Sequence, residues 1–330
     1  RLLEARRLAG EFGALSRAAD VDLQLAAVGH SRFELGMALE HAQSALELGE
    51  QLGLRQVRAK ALVFLAENAS WRGDREEMER CLGLVASISP ENEMFSAFAW
   101  GARGMREMFH GDRRVAVEHL GRSVDMLAGL PYAEPAAFRA VWPLLLAAVD
   151  DRRAKGASED ARRFGLDAFS LNKGLISCAA AIIVGRAGDK SAARRAVGAS
   201  ESHFVNSMAW NDIARWLVAE SAAAMGWDDP AWWVSGVGER LAALGLAHPA
   251  ERCRRLADAP RRWEGFGITA READVLNLVV QGLSNKEIAA TLSLSSRTVE
   301  KHVEALLRKL DARSRTHLAA VAEAWRRPHT

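Results

Sequence analysis

The sequence predicts an all-α chain, a solenoid of helical hairpins followed by a smaller helical unit, and three observations lead there. Strand signals are scarce, with one Tyr in 330 residues, whereas Ala, Leu, Glu and Arg, which lose little on entering a helix, are plentiful. Apolar residues recur at three- and four-residue spacing, as in Met37-Ala38-Leu39-Glu40-His41-Ala42-Gln43-Ser44-Ala45-Leu46-Glu47-Leu48, the pattern of a helix with one buried face. Gly-Asp pairs then punctuate the helical texture at a nearly constant interval.

The punctuation comes first in chain order. Gly73-Asp74, Gly111-Asp112 and Gly188-Asp189 each separate two helical patterns, with the first two 38 residues apart and the second and third 77 apart. The missing midpoint falls at Asp150-Asp151, and one period beyond Gly188 stands Gly226-Trp227-Asp228-Asp229-Pro230. Each pair has one physical reading: Gly closes a helix in the left-handed conformation, and Asp caps the next. Residues from about 10 to 255 are therefore expected to hold five or six hairpins with a period near 38–39. Hairpins of this kind cannot bury their apolar faces alone and stack on one another. The array resembles a diverged tetratricopeptide solenoid, although its period exceeds the ~34 residues of that repeat. Such an array presents a concave surface, expected here to receive a small-molecule or protein ligand.

Residues 1–259 are assigned to this sensor or interaction array. At residues 260–267, where Pro260, Gly265 and Gly267 break all periodicity, a linker is expected. Residues 268–330 form the second unit. The division agrees with length, since one hydrophobic core rarely grows past about 250–300 residues. Charge divides the same way. The whole chain carries a net charge of +2, but the stretch from Arg261 to Thr330 holds 12 Lys/Arg against 8 Asp/Glu. A local basic excess favours an anionic partner there.

Thr269-Ala270-Arg271-Glu272 is a capping box, with Thr at the cap and Glu three residues on. Its helix shows Ala273, Leu276, Val279 and Val280 on one face and ends at Gly282. Ser284-Asn285-Lys286-Glu287 is a second box, opening a short helix with Ile288, Ala289 and Leu292 inward. A turn through Ser293-Leu294-Ser295 leads to a longer helix from Ser296, with Val299, Val303, Leu306, Leu307 and Leu310 inward. A last helix starts near Arg315, behind Ser314 as its cap. Two short helices joined by a tight turn and braced on both sides make a helix-turn-helix, placed here at residues 285–304. The second helix of such a unit enters the major groove of double-stranded DNA. On it Arg297, Lys301, Glu304 and Arg308 form one stripe opposite the apolar one.

The run Thr269-Ala270-Arg271-Glu272-Ala273-Asp274-Val275-Leu276, then Gly282-Leu283-Ser284-Asn285-Lys286-Glu287-Ile288-Ala289, then Ser295-Ser296-Arg297-Thr298-Val299-Glu300-Lys301-His302, then Arg308-Lys309-Leu310 and Arg313-Ser314-Arg315, resembles the LuxR-type helix-turn-helix signature throughout. The resemblance implies a four-helix DNA-binding unit. It assigns base reading to Glu300, Lys301 and Glu304, with Arg297 nearby. It implies phosphate contacts for Asn285, Lys286, Thr298, His302 and Lys309, to which the charged stripe adds Arg308. It also implies that the last helix pairs two copies, with Thr316, His317, Ala320, Val321 and Trp325 as candidates for dimerisation. Two of the base-reading positions are acidic, so the target sequence is not specified. An array ahead of such a unit is similar to the C-terminal part of the large ATP-dependent LuxR-type (MalT-like) regulators. The expected function is a transcription regulator, activating by resemblance. The alternatives are an interaction scaffold, or the effector half of a longer ATP-dependent switch. The start at Arg1, inside a helical pattern and without Met, is what a fragment would show.

Other features take plainer readings. Gly185-Arg186-Ala187-Gly188-Asp189-Lys190-Ser191 has the wrong spacing for a phosphate loop and reads as a repeat turn. Trp210, Trp216, Trp227, Trp232 and Trp233 are read as packing between repeats, with an aromatic binding surface as the alternative. Cys81, Cys178 and Cys253 are far apart and read as buried thiols of a cytoplasmic protein. No apolar run reaches the ~20 residues of a membrane span. No nucleophile–base or metal-ligand spacing occurs, so neither enzyme activity nor a cofactor is expected.

Overall fold

The fold is described from a computed structural model, which describes residues 1–128, 137–257, 267–292 and 294–326. Among these residues there are helices and no strand. In chain order the helices are α1 (Leu2–Glu11), α2 (Leu15–Arg32), α3 (Leu35–Gln51), α4 (Arg55–Arg72), α5 (Arg75–Ile88), α6 (Glu93–His110), α7 (Arg113–Ala128), α8 (Ala137–Ala148) and α9 (Ala154–Arg163). There follow α10 (Ser170–Arg186), α11 (Lys190–Ser200), α12 (Met208–Met225), α13 (Pro230–Val234), α14 (Val237–Ala243) and α15 (Ala247–Ala257). The C-terminal unit holds α16 (Ala270–Val280), α17 (Asn285–Leu292), α18 (Ser296–Lys309) and α19 (Arg315–Arg326). Most of the expected linker lies outside the described residues. No helix among the described residues is long and apolar enough to cross a membrane.

The turn chemistry explains the hairpins. Gly73 stands at φ 83° after α4, and Asp74 caps α5 by accepting a hydrogen bond from the Glu77 amide at 3.0 Å. Asp189 does the same for Ala192 at 2.8 Å, behind Gly188 at φ 103°. Asp229 caps α13, whose first residue, Pro230, has no N–H to leave unsatisfied. The midpoint pair behaves as its spacing suggests: Asp150 takes the left-handed place at φ 62°, and Asp151 accepts from the Arg153 amide at 2.8 Å. Asp is among the few side chains that tolerate that conformation.

Two turns depart from the expectation. Gly111 is not left-handed; it lies at φ −135° and ψ −142°. Glu107 from the preceding helix accepts from the Asp112 amide at 3.2 Å, so a side chain closes this turn in place of a helical reversal. The turn between α2 and α3 has no glycine at all. Phe33 takes φ 63° between α2 and α3, a costly conformation for a bulky residue. The residue is only 3% exposed and its ring stacks on Trp71 at 5.0 Å, and that packing holds the strain in place.

A Gly73→Ala substitution tests the turn rule. The new methyl would meet the His110 ring at 3.1 Å in a left-handed backbone. The expected cost is about 1–2 kcal/mol, read as a lower urea midpoint. An unchanged midpoint would show that the hairpin does not depend on this turn.

Among the described residues, α12 covers part of the inner face of the stacked hairpins. Helix α12 returns to the start of the array: Ser207, just before it, donates to the Ser31 carbonyl at 2.7 Å. Trp210 meets Phe33 at 5.9 Å and Trp71 at 5.5 Å, both edge-on, and Trp216 stacks with Phe109 at 6.4 Å. His248 of α15 donates through Nδ1 to the Phe109 carbonyl at 2.6 Å. Trp210 and Trp216 are fully buried and Trp233 nearly so, so these three are packing residues. Trp232 stays half exposed. Aromatic side chains that an open inner face would expose, Phe33, Trp71 and Phe109, are covered by α12, because burying them stabilises the array more than leaving them wet.

Three buried aspartates tie neighbouring helices. Asp22 accepts from Arg6 at 2.7 Å, His41 at 2.9 Å and Ser44 at 2.8 Å. Asp212 is gripped at both oxygens by Arg240, at 2.7 and 2.8 Å, and Asp228 by Arg194 at the same two distances. Paired contacts of this kind fix geometry as well as charge. The three cysteines are buried free thiols.

Candidate nucleic-acid interface

The C-terminal unit has its own core, built from Ile268, Leu276, Val279, Ile288, Val299, Leu306 and Leu318 among others. Helix α16 lies at its centre and packs against α17, α18 and α19. Val275 and Leu278 are therefore buried as well, off the face that periodicity picks out.

Both capping boxes form. Glu272 accepts from the Thr269 amide at 2.7 Å and its hydroxyl at 2.8 Å. Glu287 accepts from the Ser284 amide and hydroxyl, each at 2.7 Å. Helix α16 ends as expected at Gly282, φ 82°, whose amide donates to the Val279 carbonyl at 2.9 Å while Leu283 donates to Leu278 at 3.2 Å. This crossed pair satisfies carbonyls that the helix end would otherwise leave open. After α17, the Leu294 amide closes on the Ala289 carbonyl at 2.9 Å. Ser295 caps α18 by accepting from the Thr298 amide at 3.0 Å, and Ser314 accepts from the His317 amide at 3.1 Å at the start of α19.

These caps set how α18 is presented. Val299, Val303 and Leu306 face the core. Arg297, Glu300, Lys301, Glu304 and Arg308 are exposed on the opposite side. None of the five has a side-chain hydrogen bond or ion pair among the described residues. Elsewhere in the chain exposed arginines commonly have a carboxylate partner, as Arg80 has Glu77 and Arg153 has Asp151. A row of unpaired charges on an exposed helix face can meet phosphates and base edges without first breaking internal pairs.

The other candidates are placed differently. Lys286 is exposed at the start of α17, and His302 is half-buried on α18. The Thr298 hydroxyl lies 2.7 Å from the Ser295 hydroxyl. Asn285 accepts through Oδ1 from Arg315 at 2.7 Å, and Arg315 also reaches the Leu283 carbonyl. Burial lowers the Arg315 pKa, in keeping with this inward role. Lys309 turns inside: its ammonium donates to the Gly267 carbonyl at 2.8 Å and to the two Glu272 oxygens at 2.8 and 2.6 Å. Three donors thus meet three acceptors within the unit. Thr316, His317 and Ala320 are exposed on α19, with Val321 half-buried. The side chain of Trp325 lies outside the described residues.

Sequence reading missed the bracing residues. Arg315 ties α19 to α17, and Arg271 donates to the Leu292 carbonyl at 2.7 Å, tying α16 to the end of α17. Both bonds span more than twenty residues, and no local spacing signals them.

Helix order, turn and caps define a helix-turn-helix unit. Residues 267–322 match the family described as bacterial regulatory proteins, luxR family. The C-terminal unit is accordingly a LuxR-family helix-turn-helix domain. Among similar proteins, the nitrate/nitrite response regulator protein NarP of Escherichia coli is 56% identical over 48 residues, which cover 14% of this chain and 22% of that protein. YhcZ of Bacillus subtilis, an uncharacterized transcriptional regulatory protein, is 46% identical over 89 residues, 27% of this chain and 41% of its own length. A putative HTH-type transcriptional regulator of Mycobacterium bovis is 35% identical over 153 residues, 44% of this chain and 17% of its own. That last match is longer than the C-terminal unit, so it takes in part of the array. The chain spans less than half the length of each of these relatives. No solved structure matches the chain.

Proposed function

We propose that the chain is a sequence-specific DNA-binding transcription regulator, an activator rather than an enzyme, that acts in the cytoplasm as a homodimer on DNA. Its array receives a ligand or protein signal. The observation that carries this reading is the row of unpartnered charges along α18, on a domain whose core and caps already use their own polar groups. Arg297, Glu300, Lys301 and Glu304 are the base-reading set. Lys286 and Arg308 are free to bind phosphates, with Asn285, Thr298 and His302 at the edge of the contact. Two copies pair through Thr316, His317, Ala320 and Val321. The relatives named as transcriptional regulators support the assignment.

Selection of binding sites from random duplex DNA with the full chain, at two salt concentrations, tests it. The expected product is a pseudo-palindromic motif with half-sites about 34–36 Å apart, the spacing of one DNA turn. Affinity should fall steeply with salt, because each neutralised phosphate releases counterions. Lys301→Ala should cost about 1–3 kcal/mol on that motif and relax base preference at one position. No enrichment at either salt would overturn the reading.

A further inference from the structure

The array holds an open cleft of about 650 Å³ between the start of α7, the end of α8, the last turns of α12, and α15. Its floor is apolar, formed by Ala148, Val149, Ala223, Ala224 and Leu256. Its polar side is unbalanced. Arg113 lies across the Trp216 ring at 4.5 Å and is in ionic contact with Glu220. Arg252 approaches the same carboxylate at 2.6 Å. Two guanidiniums therefore share one carboxylate. Arg255, also in the lining, pairs at 3.2 Å with Glu251, which it shares with Arg254 at 3.0 Å.

The shared pairing is incomplete. Nε and Nη2 of Arg113 and Oε1 of Glu220 are closed off from solvent with no properly aligned hydrogen-bond partner. Contact without alignment gives Coulombic attraction and leaves the donors unsatisfied, which is costly for a buried charge. Burial pushes the Arg113 pKa down to about 10; Glu220 opposes the shift and Arg252 adds to it. A surplus cation at the wall of an apolar cleft calls for an anion with an apolar body. The volume lies within the ordinary range of small-molecule sites, about 300–1,000 Å³.

We propose that this cleft binds a small amphiphilic anion, with a carboxylate or phosphate head on the partly exposed Arg252, in the field of the buried Arg113, and its apolar body along Val149, Ala223 and Leu256. Guanidinium recognises either head through paired N–H donors. The site rests on the reading of the array as a signal receiver, and it deepens that reading by placing the ligand on α15. Helix α15 is the last array helix before the segment that leads to α16. A ligand that repositions Arg252 or Leu256 therefore acts on the last array helix before the DNA-binding unit.

Calorimetric titration of the full chain with sodium octanoate, octyl phosphate, octanol and inorganic phosphate tests the site. One of the two amphiphilic anions should bind saturably, one per chain, and at least about tenfold tighter than the neutral alcohol or the bare phosphate. Which anion binds identifies the head group. Arg252→Gln and Ala223→Trp, both at accessible positions, should each weaken it about tenfold or more, the first by removing a charged donor and the second by filling the cleft. Thermal denaturation of each variant confirms that it is folded. No saturable binding of either anion, or equal binding in both variants, overturns the proposal. DNA affinity measured with and without the bound anion separates it from the broader reading. Binding with unchanged DNA affinity keeps the site and removes its signalling role. An array deletion that changes DNA affinity, in a chain that binds neither anion, removes the site and keeps the array as a receiver.

Discussion

Replacing Trp210 by alanine is expected to destabilise the array by about 3–5 kcal/mol, the range for large aromatic truncations in a packed core. Trp210 is fully buried and meets both Phe33 and Trp71. It is also where α12, late in the chain, closes on α2 and α4, so the cavity would open at the seam of the array. Urea unfolding followed by helical circular dichroism measures the loss. The C-terminal unit has a separate core and should keep its own transition. A loss below about 1 kcal/mol, as for an average point mutation, would mean that this seam does not hold the array together. Ser207→Ala removes the single hydrogen bond to the Ser31 carbonyl and should cost only about 1 kcal/mol.

The second large effect concerns acid stability of the C-terminal unit. Burial alone would raise the Glu272 pKa, but the Lys309 ammonium and the Thr269 amide and hydroxyl outweigh it and hold the carboxyl near 2. The unfolded chain returns the group to its ordinary 4.5. A depressed carboxyl contributes stability that is fully present above the unfolded value and lost as pH falls through the folded one. The window is therefore about pH 4.5 down to 2, and the ceiling is about 3 kcal/mol. Denaturation of the full chain across that window should show this loss, and Glu272→Gln should remove its share of the pH dependence. Lys309→Met leaves Glu272, only 7% exposed at its side chain, without its cation. The expected cost near neutral pH is about 3 kcal/mol, with acid unfolding moved to higher pH. Hydrogen exchange along α16 and α18 localises the change. If Lys309→Met lowered DNA affinity and left exchange untouched, Lys309 would instead be a phosphate contact.

Lys309 also shows where reading by resemblance and reading by structure part. The resemblance implies a phosphate contact, and the spacing of the sequence offers no reason to doubt it. Glu272 and Gly267, which take up the ammonium, lie 37 and 42 residues away. A salt bridge across a core leaves no local signature. The same holds for Arg315 and Asn285. The capping boxes, by contrast, are complete within four residues, and both form as read. The hairpin turns divide in the same manner. Gly73, Asp150 and Gly188 are legible because the side chain itself permits the backbone. Gly111 and Phe33 are not, because a neighbouring carboxylate and a stacked indole decide them.

By itself the sequence determined the all-α class, the hairpin period, the capped ends of α16 and α17, and the charged face of α18. These depend on residues within a turn or two of each other, where propensity, periodicity and capping act directly. Tertiary structure alone decided that α12 closes the array, that Val275 and Leu278 are buried off the expected face, and that Lys309 and Arg315 brace the domain. It also decided that Arg113 and Arg252 share one carboxylate beside an apolar cleft. Each of these joins residues distant in sequence, and which distant surfaces meet depends on how all the helices pack at once.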